Sequence, residues 1–239
     1  MIDSRAPLLL GSGSPRRREI LTSLGIPIRV AKADVDETVR PGEGPEPYLV
    51  RVVADKLAAV AALREVTGCA GILVADTSVI VDGVTLGKPE GAAGARAMLR
   101  VLSGRAHEVW TRFAVAAVGA PIDPTSITPA SIAPARTAPM APPRAPAAAA
   151  PVAAAIAETV RTKVWFRALD EAEIAAYADT GEGLDKAGAY AIQGVGAFAV
   201  ERIEGSYSNV VGLPACEVVL ALRSAGLLGG FPLLGAAPR

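Results

Sequence analysis

Apolar residues recur along the chain in two rhythms, short unbroken runs and longer stretches spaced at three and four, and these predict alternating strands and helices. Leu8 to Leu10 is a short apolar run that empties into Gly11-Ser12-Gly13-Ser14, where Ser14 suits an N-cap and Pro15 a first helical position. A helix is predicted from there to about Leu24, stopped by Gly25. Ile28 to Ala33 reads as a second strand, and Pro47 to about Arg64 carries the spacing of a long amphipathic helix. Gly71 to Ala75 reads as a buried strand ending at Asp76, and Val79 to Leu86 as a hairpin turned at Asp82-Gly83. A helix covers about Ala92 to Leu102, and Glu108 to Val118 and Thr159 to Arg167 form two further strands. Asp170 with Glu173 makes a capping box for a helix to about Tyr177, a strand lies near Phe198 to Ile203, and a last helix begins after Pro214. The alternation predicts a single α/β domain with a mixed, twisted sheet flanked by helices.

Composition changes this picture once. Gly119 to Glu158 holds nine of the 19 prolines and no aromatic residue, so it buries too little apolar surface to offset the entropy of ordering it. A disordered or polyproline-like insertion is expected there, with a helical turn or two at Val152 to Ala157, and a tolerated surface insertion is favoured over a ligand for a proline-recognition module. Residues 229–239 have the same character and are expected to fray. The domain is therefore expected over 1–228, interrupted by 119–158.

Charge and rare residues exclude several functions. Lys+Arg 24 balances Asp+Glu 24, so no basic field suggests nonspecific binding to duplexes. Cys69, Cys216 and His107 are too few and too scattered for a disulfide framework, a zinc site or a histidine triad. The start lacks the apolar core of a secretory signal and no run reaches a membrane span, so a cytoplasmic protein without membrane contact is expected.

Three segments carry candidate chemistry. In Leu8 to Leu21 a strand runs through small residues into a helix start, aiming unpaired N–H groups and the positive end of the helix dipole at one point suited to phosphate. Arg16, Arg17 and Arg18 stand where the dipole disfavours cations unless an anion binds. The Walker and G-x-G-x-x-G spacings are both absent. In Ala75-Asp76-Thr77, a carboxylate at a strand end can bind a divalent cation, orient water or simply cap a loop. Lys88 in Gly87-Lys88-Pro89 returns towards the same end of the sheet. Glu37 beyond the second strand is a second metal carboxylate or surface charge, and Lys56 interrupts the apolar stripe of the long helix, where a snorkelling lysine is the alternative. In Thr180 to Gly194 the glycines suit close approach to a ligand, and Gln193 donates and accepts at once, although a plain glycine-rich loop is the rival. Gly205 to Pro214 adds a polar turn, and His107 is read as structural.

Taken in order, S-x-S-P-R-R (12–17), A-D-T (75–77), G-K-P (87–89), L-S-G-R-x-H-E-V (102–109), D-K-A-G-A-Y-x-I-Q-G (185–194) and N-V-V-G-L-P (209–214) resemble the Maf family of nucleoside triphosphate pyrophosphatases. The resemblance covers about residues 7–118 and 159–227 and implies a fold of the Maf and ITPase kind. It implies hydrolysis of a nucleoside triphosphate between the α and β phosphates with a divalent cation, Mg or Mn, by a hydrolase acting on phosphorus-containing acid anhydrides. By motif position Asp76 is the implied proton acceptor. Glu37 and Asp76 are implied to hold the metal, Ser12, Arg17, Lys56 and Lys88 to line the phosphate site, and Arg16, Thr77 and Gln193 to tune the choice of base. The A-D-T and I-Q-G forms resemble the branch acting on dTTP and UTP; the 7-methyl-GTP branch carries Gln after the Asp and Glu in the later motif. Gly11 stands where alanine is frequent, Arg112 where glycine is frequent, and the insertion is unusually long for a hairpin connection. A nucleoside triphosphate is the expected partner, without a stable nucleic-acid complex, and a homodimer is compatible with the chain. Two rivals are a noncatalytic nucleotide-binding regulator of septum formation and a single-stranded nucleic-acid binder using Arg16 to Arg18, the second disfavoured by scarce aromatics.

Overall fold

Leu8–Gly11 form β1, parallel to β2 (Ile28–Ala31) on one side and to β3 (Gly71–Val81) on the other. Helices cover both faces of this strand. Leu8 and Leu10 pack against Leu21 of α1 (Pro15–Ser23) and Val218 and Leu222 of α6 (Ala215–Ser224). Leu9 packs on the opposite face against Val53, Leu57 and Val60 of α2 (Pro45–Ala61). A parallel strand covered twice has no polar side, and so it reads as a run of leucines. The computed structural model describes residues 1–32, 34–119, 128–129 and 155–233.

β3 continues past the point where the sequence ends it. It is one strand of 11 residues with Asp76 in its middle, and Val79–Val81 pair with β4 (Val84–Leu86) to make the hairpin. The cause is β5 (Ala106–Ala117), whose antiparallel ladder to β3 runs from Gly71 opposite Ala117 to Ile80 opposite Glu108. That ladder satisfies the backbone through the polar Asp76-Thr77-Ser78 stretch, so local propensity is overridden. Asp82 and Gly83 take the positive φ values, 51° and 77°, that the two-residue turn requires.

β7 (Ile156–Phe166) pairs antiparallel with β5 and begins inside the segment assigned above to the insertion. Ile156, Ala157 and Glu158 are extended rather than helical, and Ala157 is fully buried on the α2 side of the sheet. Thr128–Pro129, also within that segment, form a short β6 parallel to Ile156 and Ala157. The rest of 120–154 lies outside the described residues. β8 (Val200–Glu204) adds to the far part of β7, and the order across the sheet is β2-β1-β3-β5-β7-β6 with β4 on β3 and β8 on β7.

Past the reach of α1 and α6, the sheet face they cover is covered by α3 (Gly91–Leu102) and α4 (Glu171–Asp179), which enclose Val79, Val81, Val109, Val164 and Phe166. The Asp170 and Glu173 capping box forms as predicted. A short α5 (Tyr207–Val211), which the sequence reads only as a polar turn, precedes α6. The start of the tail is not frayed: Phe231 and Leu233 pack on the core beneath α6, while 234–239 lie outside the described residues. Among the described residues no helix is long and apolar enough to cross a membrane.

One irregularity of the sheet positions the site. β1 pairs with Gly71–Leu73 and β4 with Val79–Val81, so on that edge of β3 the stretch Val74–Ser78 lies between two partners. β1 turns away into α1 there, and a switch of partners along one strand edge leaves a crevice at the carboxyl end of β1. Gly11 sits tightly at this corner, where a Cβ would meet Val60 Cγ2 at 2.6 Å and Val74 Cγ1 at 2.8 Å and would push those side chains aside.

Candidate active site

The crevice is a cleft of about 720 Å³, and Ser12, Arg16, Arg17, Glu37, Lys56, Asp76, Thr77, Lys88 and Gln193 all line it. Nine residues singled out from the sequence are thus brought to one place although they run from Ser12 to Gln193 along the chain, while Arg18, the third arginine of the helix start, does not line the cleft.

The first wall is the turn from β1 into α1. Pro15 opens the helix and no acidic residue stands in its first turn, so its positive end faces the cleft unneutralised by the helix itself. Ser12 Oγ accepts twice, from Ser14 N–H at 3.2 Å and from Arg17 Nη1 at 3.0 Å, which frees the hydroxyl proton to be donated into the cleft. Arg17 is buried and largely committed to the protein. Its Nε donates to Gly212 O at 2.8 Å, Nη1 also donates to Ala75 O at 2.8 Å, and Nη2 donates to Thr77 Oγ1 at 3.1 Å. Burial pushes its pKa down and the negative charge of Asp76 works against that. Arg17 therefore ties β1, β3 and the α5–α6 turn together at the cleft floor, with one N–H left over from the five of a guanidinium.

Thr77 is similarly engaged. Its hydroxyl accepts from Arg17 and lies 2.9 Å from Thr111 Oγ1, which in turn donates to Asn209 O at 3.1 Å. Asn209, fully buried, donates through Nδ2 to Val109 O and Thr162 Oγ1, both at 3.0 Å. Nothing in the sequence marks Thr111, and Asn209 reads only as part of a turn motif; a threonine and an asparagine buried among apolar neighbours carry no signal until their partners are known.

The second wall holds the charges. Lys56 Nζ sits 2.7 Å from Asp76 Oδ1 and 2.7 Å from Glu37 Oε1, and Lys88 Nζ lies 3.5 Å from Glu37 Oε2. Lys56 does not snorkel: its side chain is only 11% exposed, and it replaces an apolar residue on α2 because two carboxylates meet it. Burial acts to raise the Glu37 pKa, but the hydrogen bond and charge of Lys56 outweigh it and hold the carboxyl below its usual range. The loop carrying Glu37 is itself pinned to α2. Arg51 forms a fork on Glu43 at 2.7 and 2.8 Å and donates to Asp36 O and Thr38 O on either side of Glu37, while Tyr48 Oη donates to Glu37 O at 3.1 Å. In the sequence Arg51 and Tyr48 read only as the polar edge of an amphipathic helix.

The third wall is the glycine-rich segment. Glu182 organises it, accepting from Tyr177 Oη at 2.8 Å and from Val195 and Gly196 N–H at 3.0 and 2.8 Å. Gly188 has φ 69° and packs so closely on Val79 that a Cβ would lie 2.9 Å from it, so only glycine fits. His107 lies beneath, its Nε2 2.8 Å from Tyr190 Oη, and burial pushes its pKa down to about 4. Gln193 is exposed at the rim, and Arg16 faces Asp185 across the cleft at 3.7 Å.

The arrangement collects cations, a hydroxyl and a helix N-terminus opposite two carboxylates, which is chemistry for holding a polyanion while a water is directed at it. A family model for Maf-like proteins matches residues 7–140 and 143–225. Among curated proteins, the dTTP/UTP pyrophosphatase of Citrifermentans bemidjiense is 43% identical over 222 residues, covering 93% of this chain and 97% of the relative. Those of Hahella chejuensis, 42% identical over 93% of this chain and 94% of the relative, and of Myxococcus xanthus, 43% identical over 92% and 93%, carry the same name. Among solved structures, a nucleoside-triphosphatase named dITP/XTP pyrophosphatase from Mycobacterium abscessus is similar only at a TM-score of 0.33 and 12% identity, covering 67% of this chain and 72% of that one.

Proposed function

We propose that this chain, which belongs to the Maf-like protein family, is a nucleoside triphosphate pyrophosphatase that cleaves dTTP and UTP between the α and β phosphates. The observation that carries the reading is the meeting of Asp76 and Glu37 on Lys56 beside the α1 N-terminus, within one cleft. A triphosphate needs several negative charges offset before water can approach phosphorus, and Lys56, Lys88, Ser12 and the first-turn N–H groups supply that offset.

Asp76, held at 2.7 Å by Lys56, is the group in position to take the proton of an attacking water. Attack at the α-phosphorus forms a new P–O bond as the bond to the β-phosphate oxygen breaks, and pyrophosphate leaves with the electron pair. Ser12 donates its free hydroxyl proton to a phosphate oxygen, and Arg17 keeps the Ala75 carbonyl and the Thr77 hydroxyl fixed while it does so. The Glu37 and Asp76 pair fits a divalent cation such as Mg or Mn: two hard oxygen donors already converge on one positive group, and Mg habitually takes one or two carboxylates and completes its shell with substrate oxygens and water. Bound there, such an ion would neutralise phosphate charge and lower the pKa of a water.

Pyrophosphate release measured over a panel of triphosphates with Mg or Mn tests the proposal. Production of monophosphate and pyrophosphate from dTTP and UTP is expected. Tight nucleotide binding without turnover would instead support the septum-regulator reading.

A further inference from the structure

We propose that Asp185 determines base specificity, its Oδ2 accepting the ring imide N–H of uracil or thymine while Arg16 donates to a neighbouring carbonyl. The inference rests on the pyrophosphatase reading and deepens it.

The argument starts from which groups remain uncommitted. With phosphates at the Ser12, Lys56 and Lys88 end, the base falls against the segment 185–193, whose Ala187, Tyr190 and Ile192 give a largely apolar wall and whose polar members are Asp185, Lys186 and Gln193. Lys186 is spent internally, donating to Glu182 O and to Asp185 Oδ1. That contact fixes one carboxylate oxygen and leaves Oδ2 as the one turned to Arg16, at 3.7 Å, too long for a hydrogen bond and wide enough to be completed by a ligand edge. The hydrogen bond to Lys186, with its charge and that of Arg16, outweighs burial and holds the Asp185 carboxyl below its usual range, so it is an obligate acceptor.

Uracil and thymine present acceptor, donor, acceptor along the edge opposite the sugar. An arginine N–H, a carboxylate oxygen and the Gln193 amide N–H present donor, acceptor, donor. Cytosine carries a lone pair where uracil carries the imide hydrogen, and that lone pair would face the Asp185 carboxylate. Asp185 is exposed in the free protein, its side chain 67% accessible, so the discrimination comes from repulsion between the cytosine lone pair and the carboxylate once the base covers it, and not from an acceptor stranded in an apolar site.

The test compares kcat/KM for UTP and CTP in the unmutated protein, in Asp185→Asn, whose amide can donate to cytosine, and in Asp185→Glu, which keeps the carboxylate. The unmutated protein should favour UTP, Asp185→Asn should shrink the UTP to CTP ratio by about 10-fold or more, and Asp185→Glu should restore part of it. UTP methylated at the imide nitrogen supplies a measurement without mutation and should lose about 10-fold or more on the unmutated protein. Equal proportional losses on both nucleotides in Asp185→Asn, an unmutated ratio near one, or unimpaired turnover of the methylated substrate would each overturn the role of Asp185 and leave the pyrophosphatase reading standing. Absence of turnover of any triphosphate by the unmutated protein would overturn that reading itself.

Discussion

His107 should make the protein lose stability on mild acidification, by an amount the structure sets. Its ring is enclosed edge-on by Phe166 and Tyr190, at centroid distances of 5.0 and 5.4 Å. Nε2 has Tyr190 Oη, but Nδ1 has no hydrogen-bond partner among the described residues, so an imidazolium would bury a charged donor with nothing to receive it. Burial therefore lowers the pKa from 6.5 to about 4. Below the unfolded value the unfolded chain binds a proton that the folded chain refuses, so stability falls as pH drops from 6.5 and the loss is complete below the folded value. The gap corresponds to about 3 kcal/mol. Replacing His107 by Gln keeps an amide that can reach Tyr190 and removes the titration. Urea unfolding between pH 7 and pH 4 should show the unmutated protein losing about 3 kcal/mol more than His107→Gln, carboxylates common to both cancelling in the difference. Parallel stability curves for the two proteins would refute the reasoning, because they would show that His107 takes up its proton equally in both states.

Asp76→Asn should fold with a near-native melt and lose turnover by at least about 100-fold, since the amide keeps the volume but neither accepts the proton nor holds a cation; near-unmutated kcat with dTTP would remove Asp76 from the chemistry. Gln193→Glu replaces a donor by an acceptor and adds negative charge at the rim, so kcat/KM for dTTP and UTP should fall more than for a purine triphosphate; a uniform loss would place Gln193 in the phosphate machinery. Deleting residues 121–154 and closing with a short glycine-containing turn should leave pyrophosphate release largely unchanged, because Val115 already lies opposite Ile156 and a short hairpin can join them. Collapse of activity in a deletion variant that still folds would show that the segment reaches the cleft.

Periodicity decided most of the elements, because strands buried on both faces and helices buried on one leave unambiguous records in the order of leucines, valines and alanines. Local chemistry decided the ends: Pro15 at a helix start, Asp82-Gly83 at the hairpin and the Asp170 and Glu173 box are set by interactions within four residues and were legible for that reason. The ordered motifs likewise marked Ser12, Arg16, Arg17, Asp76, Thr77, Lys88 and Gln193 in the cleft, although Glu37 and Lys56 lie outside all of them. Tertiary structure alone decided that Asp76 stands inside a strand rather than after one, since its ladder partner on β5, Arg112, is 36 positions away and nothing local announces it. It also decided that Ile156 to Glu158 complete a strand against Val115 to Phe113 although their composition matches the proline-rich segment. The same holds for the division of labour at the site. Arg16 and Arg17 are adjacent and alike in sequence, yet one faces Asp185 across the cleft and the other is absorbed by Gly212, Ala75, Ser12 and Thr77. An arginine's role depends on which acceptors surround it, and those acceptors arrive from up to 195 positions away only when the chain has folded.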